Sequence, residues 1–192
     1  RAAKGLSDIV NEYPPQRLRQ VNQEKLEHMG IPHELAIRFL DSQNYTPTQQ
    51  TVITGSLEAC RKAKGLDAFL RQTLSADSEE LANYFMYMAE MMRDYNAKVA
   101  PIQDISVYGP LVFARAGNGA VMIPLPLDRA IWTERSSHQV PDAISSHKAM
   151  NPGLKKYELW FTGTVSNVVK ERAKKLGIQI VEKVDNRFDF TY

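Results

Sequence analysis

A single cysteine, Cys60, excludes an intramolecular disulfide and every multi-cysteine zinc site. It leaves the redox compartment open, since many proteins of oxidising compartments also lack disulfides. No apolar run approaches the roughly 18 to 20 residues that cross a bilayer, and the start of the chain carries no signal-peptide hydrophobic region. An excess of one charge is also missing: 24 Lys and Arg against 22 Asp and Glu leave +2. The molecule as a whole therefore has no field that would draw in nucleic acid or an anionic membrane, and no nucleic-acid partner is expected. The four histidines, His28, His33, His138 and His147, stand outside any ligand spacing, so neither a metal site nor a cofactor is expected. The glycines and lysine of a phosphate loop and the turn of a nucleophile elbow are absent too. No internal repeat or low-complexity array is present.

What remains is the composition of an ordinary globular protein, with 43% hydrophobic and 24% charged residues in 192. A chain of this length buries roughly 70% of the surface its unfolded form exposes and needs no staple to fold. Residues 1–13 have few apolar positions and end at Pro14-Pro15, which reads as a lead-in or linker. From Pro15 to Met29, Leu18, Val21, Leu26 and Met29 share a helical face, with Gly30 in the stop position. Pro32 opens a shorter helix that turns Leu35, Ala36, Phe39 and Leu40 inward. Thr46, Pro47 and Gln49 then spell a capping box ahead of the stripe Val52, Ile53, Leu57 and Cys60. Leu66, Phe69, Leu70 and Leu74 give a fourth helix. Asp77 and Glu80 start the longest one, whose band of Leu81, Tyr84, Phe85, Met88, Met91, Met92, Tyr95 and Val99 reads as bundle core and not as a cofactor box.

After Pro101 the period becomes strand-like. Val107 to Arg115 and Ala120 to Leu125 flank Gly117-Asn118-Gly119, a hairpin signal, and Leu127 to Thr133 reads as a third strand. Pro110, Pro124 and Pro126 donate nothing to a ladder and belong at strand ends or edges. The polar stretch from Glu134 to Gly153 reads as a long loop with one short helix. Tyr157 to Val184 is the most complete unit. Leu159 to Phe161 forms a strand, Ser166 precedes an amphipathic helix ending at Gly177, and Ile178, Ile180 and Val181 form a strand that should run parallel to the first.

The strongest local candidate for a site is the turn between that strand and helix. Thr162, Gly163, Thr164 and Ser166, with Lys170 behind them, combine hydroxyls, helix-terminal N–H groups and a cation, the makings of an anion or phosphate site. The plainer reading makes Gly163 a turn residue and Thr164 or Ser166 a helix cap. Lys170, Lys174 and Lys175 similarly read as a solvated helix face. His138 and His147 share the polar stretch with Ser136, Ser145, Glu134 and Asp142, from which a hydrolase is assembled only on paper. Asp104 and Asp128 flank the hairpin and read as turn residues before paired carboxylates. No residue is assigned a catalytic role.

The patterns Pro-Thr-x-Gln-Thr from Pro47, Pro-Leu-Asp-x-x-x-Trp-Thr from Pro126 and Leu-Trp-x-Thr-Gly-x-Val-Ser from Leu159 resemble the C-terminal part of an uncharacterised family of bacterial exported proteins, over about residues 14 to 182. The family has no assigned activity, so the resemblance transfers no catalytic residue. It implies a bacterial source, a longer precursor and a periplasmic or otherwise extracytoplasmic location, with the cytoplasm as the alternative. The expected fold is α+β: a bundle of about five helices over 14–100, packed with a small mixed β-sheet over 101–192 that contains the hairpin and the strand, helix, strand unit. The expected function is a non-enzymatic interaction or structural module of the bacterial cell envelope with a protein partner. An anion-recognising module at Thr162–Ser166 and a hydrolase on the 134–153 stretch are the alternatives, and the oligomeric state stays open.

Overall fold

The computed structural model describes residues 10–130 and 134–191. Of the expected lead-in, residues 1–9 lie outside the described residues, while residues 10–12 are helical. The helical half follows the sequence closely. Helices α1 (Pro15–His28), α2 (His33–Leu40), α3 (Pro47–Ala59), α4 (Leu66–Thr73) and α5 (Glu79–Lys98) occur in that order. The capping box at α3 is complete: Gln49 N–H donates to Thr46 Oγ1 at 3.1 Å and Thr46 N–H donates to Gln49 Oε1 at 2.8 Å. Two details differ at α5. Its cap is Ser78, whose Oγ accepts from the Leu81 amide, and not Asp77. At its far end Val99 has left the helix and is 47% exposed, so the apolar band stops at Tyr95.

The strand-like region is a five-stranded mixed sheet in the order β1-β2-β3-β5-β7, from β1 (Ile102–Tyr108), β2 (Leu111–Ala116), β3 (Ala120–Leu125), β5 (Lys156–Phe161) and β7 (Ile178–Val181). The single strand expected from Val107 to Arg115 is two strands, because Gly109-Pro110 turns the chain: Gly109 takes φ of 55° and proline has no N–H for a ladder. β2 and β3 pair antiparallel across Gly117-Asn118-Gly119, as the hairpin signal indicates, with Met122 opposite Ala114. β3 and β5, and then β5 and β7, pair parallel. Pro124 sits on β3 beyond the residues paired with β2, where its missing N–H interrupts nothing on that side. Of the third strand expected over Leu127 to Thr133, Leu127 and Asp128 are not strand, Arg129–Ala130 forms β4, which pairs with β6 (Thr164–Val165) in a separate two-stranded sheet, and 131–133 lies outside the described residues.

The largest correction concerns the polar stretch. It is a helix, α6 (Glu134–Met150), not a loop. Val140, Ala143, Ile144 and His147 recur at helical spacing, and Ala143, Ile144 and His147 are buried against the sheet. The stripe is hidden in the sequence because one member is a histidine and because Pro141 stands inside the helix, where it normally breaks the hydrogen-bond ladder. α7 (Asn167–Lys175) follows β5 and is capped by Ser166, whose Oγ accepts from the Val169 amide.

The sheet is covered on both faces. Val112, Ala114, Ala116, Met122 and Trp160 face the helical half and share one core with Leu26, Phe39, Ile53, Phe69 and Met91. Leu111, Phe113, Val121, Ile123, Tyr157, Leu159 and Phe161 face the other way, onto Ala143 and Ile144 of α6 and Val169 and Ala173 of α7. Both crossovers, β3-α6-β5 and β5-α7-β7, step in the same direction across the sheet, so both helices belong on one face. The result is an α+β protein with a central mixed sheet. Among the described residues no helix is long and apolar enough to cross a membrane.

Residues 187–191 lie along α5 and cover charges that a sequence reader would assign to solvent. Glu90, Arg93 and Asp94 are buried. Arg93 Nε donates to Asp94 Oδ1 at 2.7 Å, Arg93 also pairs with Glu90 at 3.3 Å, and its guanidinium donates to the Asp189 carbonyl. The Asp189 amide donates to Asp94 Oδ2 at 2.5 Å, and the Thr191 amide to Glu90 Oε1 at 2.8 Å. Buried charge is tolerated here because nearly every oxygen has a donor.

Candidate functional site

The turn singled out from the sequence is fastened into the protein by its own backbone. Gly163 N–H donates to the Leu127 carbonyl at 2.9 Å, and Thr164 N–H to the Asp128 carbonyl at 2.9 Å. Val165 N–H donates to Glu182 Oε1 at 2.7 Å, Ser166 caps α7, and Lys170 forms an ion pair with Glu182 at 2.9 Å. The hydrogen bonds from Lys170 and the Val165 amide hold the Glu182 carboxyl below its usual range. The Gly163, Thr164 and Val165 amides and the lysine are thus each committed to a partner within the chain. Gly163 serves close approach: a Cβ there would lie 1.7 Å from the Asp128 carbonyl oxygen.

That approach shapes a cleft of about 500 Å³ next to the turn. β3 runs out into Pro126, Leu127 and Asp128, β5 into Thr162, and beyond β7 the chain turns at Asp185; all five line the cleft. This is the carboxyl edge of parallel strands, the place where open α/β sheets hold ligands. The opposite wall is α5, which presents Glu80, Asn83, Tyr84 and Tyr87 at positions i, i+3, i+4 and i+7, a single helical stripe. Phe190 completes the wall and meets Tyr87 edge-to-face at 5.7 Å.

The chemistry of the lining is consistent around its rim. Glu80, Asp128 and Asp185 come from separate elements and, among the described residues, none has a cationic partner. Burial pushes the Tyr84 hydroxyl up to about 12, so it stays protonated. Asn83 Oδ1 accepts from Gln49 Nε2 at 2.8 Å, which fixes that side chain. Thr162 is buried and, among the described residues, its Oγ1 has no hydrogen-bond partner. Buried hydroxyls are nearly always satisfied, so an unpaired one in a cleft wall is the kind of group a ligand completes. No group of three or more His, Cys, Asp or Glu is placed to hold a metal ion among the described residues.

Of the remaining candidates only Asp128 joins this cleft. His147 is buried, stacked on Phe113 at 4.3 Å with Nδ1 2.8 Å from the Tyr157 hydroxyl, and burial lowers its pKa. His138 is exposed, and neither histidine lines the cleft. Asp104 sits on β1 while Asp128 is in the cleft wall, and the lining includes only the latter. Cys60 is buried, its thiol pushed up to about 12, so it is a packing residue. Of the residues weighed from the sequence, Thr162 and Asp128 line the cleft; Glu80, Asn83, Tyr84, Tyr87, Asp185 and Phe190 were not singled out as site residues. Tyr84 belongs to the band read from the sequence as bundle core, and Glu80, Asn83 and Tyr87 adjoin it at helical spacing, the one signal that could have pointed to this wall. No protein-family model, curated protein or solved structure matches this chain, which leaves its function to be read from the cleft and from the residues themselves.

Proposed function

We propose that the protein is a non-enzymatic interaction module that recognises a protein partner through the cleft between α5 and the carboxyl ends of β3 and β5. The observation that carries this reading is the buried Thr162 Oγ1, without a hydrogen-bond partner among the described residues, in the wall of a cleft of about 500 Å³, a volume within the range that holds a ligand or an inserted side chain. Among the described lining residues no Ser or Cys nucleophile stands with a base and oxyanion donors, which favours binding over catalysis. An anion at the Thr162–Ser166 turn finds less support, because the Gly163, Thr164 and Val165 amides and the Lys170 ammonium already have acceptors. The resemblance to exported bacterial proteins supports a place in the cell envelope.

Capture from a bacterial envelope extract tests the reading with three baits: the wild type, Leu127→Trp and Glu171→Trp. Leu127 lines the cleft and is 39% exposed, so an indole there fills it without entering the core. Glu171 is exposed on α7, away from the cleft. A partner held by the wild type and Glu171→Trp but lost by Leu127→Trp is expected. A partner held equally by all three would move recognition off the cleft.

A further inference from the structure

The lining of the cleft is chemically one-sided. Carboxylates from the start of α5, the exit of β3 and the turn after β7 line it, and among the described residues no basic side chain does. Within the same walls stand the rings of Tyr84, Tyr87 and Phe190, whose π faces attract cations. The buried Thr162 hydroxyl also lines it, and among the described residues nothing donates to its lone pairs. Each feature has an ordinary explanation alone, Glu80 as a first-turn acid facing the positive end of the α5 dipole being the clearest. Together they select by charge. An anion would enter against Glu80, Asp128 and Asp185 at once, a neutral ligand would leave all of them uncompensated, and a cation is met by carboxylates, aromatic faces and an acceptor hydroxyl. The acids are not gathered as a metal-ligand set, which suits an extended organic cation better than a bare ion.

We infer that the cleft binds a protonated amine or guanidinium carried on an apolar stem, with the charged head among Glu80, Asp128 and Asp185 and the stem against Tyr84, Tyr87 and Phe190. This rests on the reading of the cleft as the recognition site. The shared chemistry occurs both in free alkylamines and in the lysine or arginine side chains of a protein.

Amide NMR titration of the full chain separates these sources. The probes are 1,5-diaminopentane for the free amine, a blocked Gly-Lys-Gly and a blocked Gly-Arg-Gly peptide for the side chains, and butyramide and inorganic phosphate as neutral and anionic controls. The expected result is saturable shifts at Asp128, Thr162, Asp185 and Tyr84 with at least one cationic probe at millimolar concentration, and none with the controls. Peptides binding more tightly than the diamine would assign the side-chain source, and the reverse order the free amine; either supports the cation class. Asp128→Asn and Asp185→Asn should each weaken binding about fivefold, the scale of one partly screened ion pair, and added salt should weaken it further. Unchanged affinity in the Glu80→Gln, Asp128→Asn, Asp185→Asn triple variant overturns the inference, as does the absence of cleft shifts with every cationic probe. If butyramide or phosphate shifts the same amides instead, the cation class fails while the cleft stands. If the partner in the capture experiment ignores Leu127→Trp, the cleft itself fails.

Discussion

Arg93→Met is the sharpest test of how the C-terminal segment is held. The guanidinium has side-chain exposure of only 4%, between Glu90 at 0% and Asp94 at 7%. Methionine keeps most of the apolar stem, so little cavity is opened and the change is chiefly electrostatic. With the cation gone, Glu90 and Asp94 remain buried on one face of α5, at i and i+4, with one opposing charge nearby, Lys98 at 3.5 Å from Asp94. Removing one partner of a buried ion pair costs about 3–5 kcal/mol, mostly as the penalty of the stranded charge. Lys98 and the amides of Asp189 and Thr191 still serve the stranded oxygens, which places the expected loss near the lower end, about 3 kcal/mol. Urea unfolding followed by far-ultraviolet circular dichroism reads it directly. A second arm makes the cause specific: in the Arg93→Met background, Glu90→Gln should recover part of the loss, because it removes one of the stranded charges. A loss under about 1 kcal/mol, the scale of an exposed pair, would refute the picture of a buried network, as would a double variant less stable than Arg93→Met.

Gly163→Ala places a methyl 1.7 Å from the Asp128 carbonyl oxygen, so the β3 and β5 exits must separate, and a loss of about 1–3 kcal/mol is expected in thermal unfolding; a variant as stable as the wild type would show that the close approach does not matter. For His147, burial lowers the folded pKa below the usual value of 6.5, with the Asp104 charge opposing the shift. A group whose folded pKa is depressed contributes stability above its unfolded pKa and loses it as pH falls through the folded value. Urea unfolding between neutral and mildly acid pH should therefore show the wild type losing more stability than His147→Gln, and parallel curves would count against it.

How much of this could be read from the residues depends on whether the signal is local. The Thr46 capping box, the Gly30 stop, the Gly117-Asn118-Gly119 hairpin and the Ser166 cap each rest on contacts within a few positions, and each is where the sequence puts it. The α6 stripe failed because burial of His147 depends on a ring stack with Phe113 and a hydrogen bond to Tyr157, which spacing alone does not disclose. The burial of Glu90, Arg93 and Asp94 is hidden for a related reason: on a helix wheel they lie off the apolar band, and only residues 187–191, nearly a hundred positions later, turn their face into an interior.

The cleft was the least legible feature because it has no segment of its own. Glu80, Asp128 and Asp185 belong to three separate elements, and what brings the latter two beside Thr162 is the exit geometry of three parallel strands. Gly163 is the residue on which that geometry turns. Read in the sequence it promised free amides for an anion, but in the fold its amide is committed to Leu127 and its missing side chain lets the Asp128 carbonyl close in. The same glycine therefore serves the architecture and, through it, sets the chemistry of the neighbouring wall. This separates two kinds of variant. A change at Gly163 should disturb stability and ligand response together, whereas Leu127→Trp, at an exposed rim position, should remove the response and leave unfolding nearly unchanged.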